Sequence, residues 1–142
     1  MPSAGTSKIL VMDSSYGNTG GYLIYWQRWN NPCASAISCG QITTGFIGTA
    51  ADPPFLRYYS FNASANDSVT IRATKTSGTL TPYLGLYNAS GAQIGTGAGQ
   101  LDKALTASGI YTVVIRDQNS INTGEYLLTW LKVNDPCSVT PS

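Results

Sequence analysis

The sequence contains no histidine and only seven acidic residues among its 142 positions, with Glu125 the single glutamate. The lack of histidine removes the commonest general base, the usual zinc ligand and the Ser-His and Cys-His catalytic pairs. Glycosidases need two carboxylates in one cleft, but these acids are scattered and resemble turn and surface residues. We therefore expect no enzymatic activity, no catalytic residue, no cofactor and no bound metal.

Charged residues and long apolar runs are also scarce. Charged side chains make up 11% of the chain and leave a net charge of +1, so nothing in the charge balance favours nucleic acid or an anionic membrane as a partner. The apolar runs fall far short of the roughly 20 residues that span a bilayer, so we expect no membrane insertion. Residues 1–8 lack the basic and apolar regions of a signal peptide, and we expect any targeting signal to lie outside this sequence.

The chain has three cysteines, Cys33, Cys39 and Cys137. A β-turn or small loop can close the short interval between Cys33 and Cys39, which predicts a disulfide between them. A reduced structural pair is the alternative. Cys137 has no evident partner in this chain, so it is either free or bonded to another chain.

The composition favours β-structure, because strong helix formers are scarce and β-branched, aromatic and turn residues are plentiful. Alternation is clearest over residues 68–74, where every second side chain is apolar, as expected for a strand with one buried face. The pattern predicts an N-terminal hairpin near 8–13 and 20–29, followed by an all-β, jelly-roll-like antiparallel sandwich. Strands of the sandwich are predicted near 41–48, 55–61, 67–74, 81–87, 92–96, 100–106, 110–116 and 124–133.

An internal repeat is the most informative feature of the sequence. Residues 20–33 (GGYLIYWQRWNNPC) align without a gap with residues 124–137 (GEYLLTWLKVNDPC), at an offset of 104 residues. Extended to 3–33 against 107–137, the match has eleven identities in 31 positions. Self-similarity of this kind is typical of a repeated structural unit.

The repeat divides the chain into three parts. Residues 1–33 correspond to the C-terminal hairpin of a preceding unit, and we expect them to act as a donor or docking segment. Residues 34–137 form one complete unit, predicted to be the β-sandwich. Residues 138–142 are a tail or a linker to the next unit.

The run LRYYSFNASANDSVTIRATKTSGTLTPYLGLYNASGAQIG, together with LTASGIYTVVIRD and NTGEYLLTW, resembles the bacterial pre-peptidase C-terminal domain. The resemblance covers residues 41–133, and residues 8–29 look like the last hairpin of a second such domain. It implies a secreted jelly-roll sandwich, usually an accessory module of proteases or a part of repetitive surface proteins. Some relatives bind collagen or polysaccharide, and some bind calcium through clustered acids. The scattered Asp52, Asp67, Asp102 and Asp117 do not carry over that calcium site.

Two further groups of residues are candidate sites. Sequons at Asn62, Asn66 and Asn88 fall at predicted strand ends or turns, where a covalent glycan can point into water; the alternative is that asparagine is simply a good turn residue. Aromatic and apolar side chains concentrate in the predicted second strand of the hairpin. We interpret them as an inter-subunit packing surface, with a sugar-stacking platform as the alternative: Tyr22, Ile24, Trp26 and Trp29.

The spare hairpin and the repeat predict a structural role. A hairpin that belongs to a preceding unit is suited to dock on a neighbouring sandwich, and a head-to-tail contact of this kind propagates as a fibre. We expect an extracellular or cell-surface filament subunit whose partners are copies of itself or adjacent tandem repeats. The alternative is a monomeric adhesive or accessory module that recognises carbohydrate or matrix protein.

Overall fold

The computed structural model describes residues 4–22, 24, 26, 28, 33–49 and 55–137. These residues form nine β-strands and no helix. The eight predicted strands are confirmed with ends within two residues, and a short strand precedes them. In chain order they are β1 (Ser35–Ala36), β2 (Thr43–Ile47), β3 (Leu56–Ala63), β4 (Ser68–Lys75), β5 (Pro82–Tyr87), β6 (Gln93–Ala98), β7 (Gln100–Ala104), β8 (Gly109–Asp117) and β9 (Gly124–Lys132).

The strands form two sheets. One has five strands in the order β1-β3-β8-β5-β6, and the other has four in the order β2-β9-β4-β7. Pairing is antiparallel except between β1 and β3, which run parallel over two residues. The last two strands, β8 and β9, each lie in the interior of a different sheet and pair with neighbouring strands, not with each other. They form an arch between the sheets and not a paired hairpin; the name terminal hairpin denotes this strand–turn–strand segment. The predicted all-β sandwich is therefore confirmed, and the terminal hairpin is central to both of its layers.

The core lies between the two sheets and follows the predicted alternation. In β4, Val69, Ile71 and Ala73 are buried, while Arg72 and Thr74 are exposed. Neighbouring strands contribute in the same way, since successive side chains of a strand point to opposite faces. Each fully buried aliphatic or aromatic side chain contributes roughly 1.5–3 kcal/mol through the area it removes from water.

Strand β9 supplies the largest side chains of the four-stranded sheet. Trp130 stacks on Phe61 with ring centroids 4.2 Å apart, and its indole N–H donates to the carbonyl of Ile37 at 3.2 Å. The Tyr126 ring packs directly over Gly45, where any Cβ would overlap it. Its hydroxyl lies 2.8 Å from that of Tyr59, and burial together with this hydrogen bond raises the pKa of Tyr126. The last hairpin is thus fixed by packing and by buried polar contacts.

The disulfide differs from the predicted one. Cys39 bonds to Cys137, with their Cα atoms 5.7 Å apart, and Cys33 is a free, exposed thiol. The prediction that Cys33 pairs with Cys39 was wrong, because it weighed sequence separation and not the position of the chain ends in the fold. Cys39 follows β1, whereas Cys137 lies just beyond β9. The hydrogen bond from Gly40 N–H to the Trp130 carbonyl (2.9 Å) brings these two segments together.

The N-terminal segment also departs from expectation. The described residues within 8–13 and 20–29 form no strands, and a turn at 14–17 is the regular feature between them. A two-stranded hairpin has little stability in water without further strands or a packed face. The equivalents of these segments, β8 and β9, pair with strands of two different sheets and not with each other, so the predicted hairpin pairing is wrong and each of these segments needs a sheet to join.

Candidate functional site: the unpartnered copy of the last hairpin

The turn that joins β8 to β9 is organised by one carboxylate. Asp117 Oδ2 accepts hydrogen bonds from the backbone N–H groups of Asn119, Ile121 and Asn122, each at 3.1 Å. Its other oxygen, Oδ1, accepts from the backbone N–H of Thr81 at 2.9 Å. Asp117 is therefore both the centre of its own turn and the attachment of that turn to the body of the sandwich.

The same turn occurs 104 residues earlier. Asp13 Oδ2 accepts from the backbone N–H groups of Ser15, Gly17 and Asn18 at 3.0–3.2 Å, which are the positions equivalent to those around Asp117. Even the backbone strain is repeated, since Tyr16 has a φ of 58° and its equivalent Ser120 a φ of 61°. The described residues of the N-terminal segment thus carry the turn of a terminal hairpin without strands on either side.

The two carboxylates have similar electrostatics. Burial raises the pKa of Asp117, but the N–H groups of Thr81, Asn122 and Ile121 outweigh it, and the net pKa is lowered. Hydrogen bonds from the backbone of Asn18 and Gly17 likewise lower the pKa of Asp13. Both side chains are therefore anionic at neutral pH.

Replacing Asp117 with alanine is expected to lower the free energy of unfolding by about 1–3 kcal/mol, because several N–H groups lose a charged acceptor. A carboxyl group with a lowered pKa stabilises the fold above its unfolded pKa of about 3.9, and that contribution is lost as the pH falls through the folded value. Asp117→Ala should therefore be less sensitive to acid than the wild type in urea titrations at pH 7 and pH 3. Asp13→Ala is the matched control, and an equal loss in both variants would contradict the attachment through Thr81.

Side chains that form the core of the complete unit are exposed in the N-terminal segment. Five positions that are 0–2% exposed in β8 and β9 have equivalents that are 43–68% exposed. The exposed residues are Ile9, Val11, Tyr22, Ile24 and Trp26, and their buried equivalents are Val113, Ile115, Tyr126, Leu128 and Trp130. This segment therefore presents the inward face of a terminal hairpin to solvent.

The predicted packing residues fall mainly within this face. Tyr22, Ile24 and Trp26 are exposed by 68%, 50% and 62%, and Trp29 lies outside the described residues. Their inter-subunit role stays a prediction. Ile9 and Val11 were not singled out by sequence reasoning, although their alignment with two core residues of β8 was available.

The predicted glycosylation positions occupy different environments. Asn62 and Asn66 are exposed, with Asn66 in a turn at a φ of 72°. Asn88 is partly buried, and its Oδ1 accepts hydrogen bonds from the backbone N–H groups of Ser90 and Ala92. The turn role that sequence reasoning offered as the alternative is therefore present at Asn88, and glycan attachment stays a prediction at all three positions.

A second candidate surface lies on the outer face of the five-stranded sheet. It is a groove of about 310 Å³ with a floor at Gly85 and Val114. The Arg116 guanidinium lies 4.5 Å from the Tyr83 ring centroid at one side. The complete lining is Leu56, Tyr58, Tyr83, Gly85, Tyr87, Gln93, Val114 and Arg116. Sequence reasoning missed this groove, although the outward positions of β3 and β5 carry its aromatic residues.

In the part of the chain that the structure describes, no three acidic or cysteine residues come together in a group that can hold a metal ion. Across the same residues, no helix has the length and hydropathy of a membrane span.

Solved structures share this sandwich. One is the pre-peptidase C-terminal domain of a collagenase from Bacillus anthracis, with a TM-score of 0.53 and 15% identity over 68% of this chain and 93% of that one. The sandwich has the fold of a pre-peptidase C-terminal domain. Aeromonas hydrophila PliG, a periplasmic inhibitor of g-type lysozyme, is also similar to this chain, with a TM-score of 0.51 and 16% identity over 68% of this chain and 95% of that one. Neither neighbour is a catalytic domain. No protein-family model and no curated protein sequence matches the chain.

Proposed function

We propose that the protein is an extracellular structural unit of a head-to-tail filament, in which residues 8–29 of one unit dock on the sandwich of a neighbour. The observation that carries this proposal is the exposed set of core-equivalent side chains in the N-terminal segment. An apolar strand face of this kind gains stability when it is buried against a sheet. The disulfide between Cys39 and Cys137 supports an oxidising, extracytoplasmic location.

The direction of the contact explains why it would extend. The donor face lies at residues 8–29, whereas the acceptor belongs to the sandwich at 34–137, so the two surfaces are different. A heterologous contact between two units leaves one donor and one acceptor surface free. Further units can therefore add, unless the rotation between units closes a ring. Each unit then offers one donor and one acceptor, and the assembly grows as a chain of sandwiches.

Assembly by the wild-type protein should depend on Trp26. Truncating Trp26 to alanine removes a large apolar side chain from the donor face, so the concentration needed for assembly should rise by at least about tenfold. Sedimentation velocity over a concentration series, with electron microscopy of the assembled material, measures this. Tyr16→Ala is the control, because Tyr16 is 82% exposed and its equivalent Ser120 is also exposed. A wild-type protein that stays monomeric throughout the series would refute self-assembly.

A binding module for carbohydrate or matrix protein is the second candidate function, and the groove on the five-stranded sheet favours it. Tyrosine rings with a charged and an amide side chain beside them suit a ligand with apolar ring faces and hydroxyl groups. If this function holds, Tyr83→Ala should weaken binding at least about tenfold in a glycan or matrix-protein screen, while Tyr16→Ala leaves it unchanged. Equal binding by both variants would exclude the groove as the site.

A further inference from the structure

The repeat places Cys33 and Cys137 at equivalent positions of two units. Cys137 closes the complete unit by bonding to Cys39 near its start. Cys33 is the equivalent of Cys137 in the preceding unit, and it is exposed and free. The same position in the two copies is therefore bonded in one and unbonded in the other.

The Asp13 carboxylate also lacks a hydrogen bond that its equivalent, Asp117, makes in the complete unit. In the complete unit, Thr81 of the β4–β5 connection donates to Asp117 Oδ1. Among the described residues, every hydrogen bond to the Asp13 carboxylate reaches Oδ2. The turn around Asp13 is otherwise the same, so the contact it lacks is the one made by the body of a sandwich.

We propose that residues 8–33 are seated and covalently locked in a preceding sandwich body, with Cys33 bonded to the cysteine that stands there at the position of Cys39. This inference rests on the proposed docking role of residues 8–29 and names the partner of that surface. The partner is a body built from the equivalents of β1–β7 that lacks its own terminal hairpin. Three features of the segment support it: the exposed core positions, the incomplete Asp13 network and the unbonded Cys33.

A copy of this chain offers this seat to a neighbour only by releasing its own β8 and β9, so self-assembly of the chain through this face requires strand exchange. Its own β8 already pairs with β3 and β5, and its own β9 pairs with β2 and β4. The seat is therefore filled wherever a unit keeps its own last hairpin. A body that precedes residues 8–33 in the order of the repeat has the seat open.

The seat has a recognisable shape. Tyr126 fits because Gly45 has no side chain, and its hydroxyl meets that of Tyr59 at 2.8 Å. Tyr22 occupies the equivalent position in the N-terminal segment and requires the same glycine and the same tyrosine in its partner. The partner is thus a sandwich of this repeat type and not an arbitrary sheet edge.

The bond forms by thiol–disulfide exchange. The Cys33 thiolate attacks a donor disulfide, either a small-molecule disulfide or that of an oxidoreductase, and one donor sulfur leaves as a thiolate. The thiolate of the partner cysteine then attacks the Cys33 sulfur in the mixed disulfide and displaces the second donor thiolate. Two protein thiols are oxidised to one disulfide, and the donor disulfide is reduced to two thiols.

The test is a fusion in which a second copy of residues 34–106 is joined directly to residue 3 of the full chain, which restores the order of the repeat. The starting chain should contain one reactive thiol, Cys33, whereas the oxidised fusion should contain none. Disulfide mapping by mass spectrometry should place Cys33 on the added copy's Cys39, with the native bond between Cys39 and Cys137 retained. The fluorescence of Trp26 should shift to the blue as its side chain becomes buried.

A tandem fusion of two copies of residues 34–137 is the folding control, because each copy has its own hairpin. If this control forms both native disulfides but the test fusion keeps a reactive Cys33, or pairs it elsewhere, the proposal is overturned. Cys33→Ser in the test fusion should leave the added copy's Cys39 as a free thiol. Filament formation by the original chain is a separate measurement: a strictly monomeric chain refutes self-assembly, yet a sealed fusion would still establish the partner.

Discussion

Trp130→Ala is expected to lower the free energy of unfolding by roughly 3–5 kcal/mol, whereas Trp26→Ala should change it by less than about 0.5 kcal/mol. The two tryptophans are equivalent in the repeat, but Trp130 is 2% exposed and Trp26 is 62% exposed. Trp130→Ala removes the stacking on Phe61 and the hydrogen bond to the carbonyl of Ile37. Urea titration of the monomer at low concentration, followed by circular dichroism, measures both changes.

The pair of variants also tests the N-terminal segment. If Trp26→Ala destabilised the monomer as much as Trp130→Ala, residues 8–29 would be packed on the sandwich of their own chain. The donor face would then be occupied, and head-to-tail docking through it would be wrong. In the fusion with an added body, by contrast, Trp26→Ala should become as destabilising as Trp130→Ala, because both side chains then lie in a core.

Cys39→Ser is expected to lower the free energy of unfolding by roughly 2–5 kcal/mol. The disulfide closes a loop of 98 residues, and closing a longer loop removes more conformational entropy from the unfolded chain. Cys33→Ser is the matched control and should leave the stability unchanged. Guanidinium titrations with and without a reductant measure the effect. Wild-type protein in reductant should match Cys39→Ser in oxidising buffer.

Comparing the stability of the two variants shows which cysteines form the disulfide. If Cys33→Ser and Cys39→Ser lost the same stability, the disulfide would join Cys33 to Cys39, as the sequence had favoured. If neither variant changed, the two segments would be held together by β9 and its neighbours alone.

The strands were predictable because their evidence is local. Val69, Ile71 and Ala73 alternate with polar residues, and turn residues mark the ends of the strands. The two-residue period and the turn residues together therefore predicted eight strands. The disulfide was not predictable in this way. Whether Cys39 meets Cys33 or Cys137 depends on where β1 and β9 lie in three dimensions, and sequence separation carries no information on that.

The N-terminal hairpin shows the opposite difficulty. Its residues have the pattern of paired strands, yet the described ones form only the turn around Asp13. The pattern records the environment of a hairpin inside a sandwich, where β8 and β9 each have neighbours on both sides. Local sequence predicts the preference of a segment, but a strand also needs a partner.

The groove on the five-stranded sheet was missed for a further reason. Tyr83 and Tyr87 lie on one strand, but Tyr58 belongs to another, and the pairing order β3-β8-β5 brings them to one face. Gly85 has no side chain, so the space between the tyrosines stays open as the groove. The inward leucines of the same strand, Leu84 and Leu86, dominate the sequence pattern, so the outward residues attract no notice until the order of the strands is known.

The bond between Cys39 and Cys137 has a mechanical consequence for a chain of such units. When the two ends of a unit are pulled apart, tension passes through this covalent bond, across a Cα separation of 5.7 Å. The polypeptide between the two cysteines, about 330 Å long when fully extended, is bypassed and bears no load. The hydrogen bonds of a sandwich can break without lengthening the chain of units. The assembly is therefore nearly inextensible for as long as the disulfide stays oxidised.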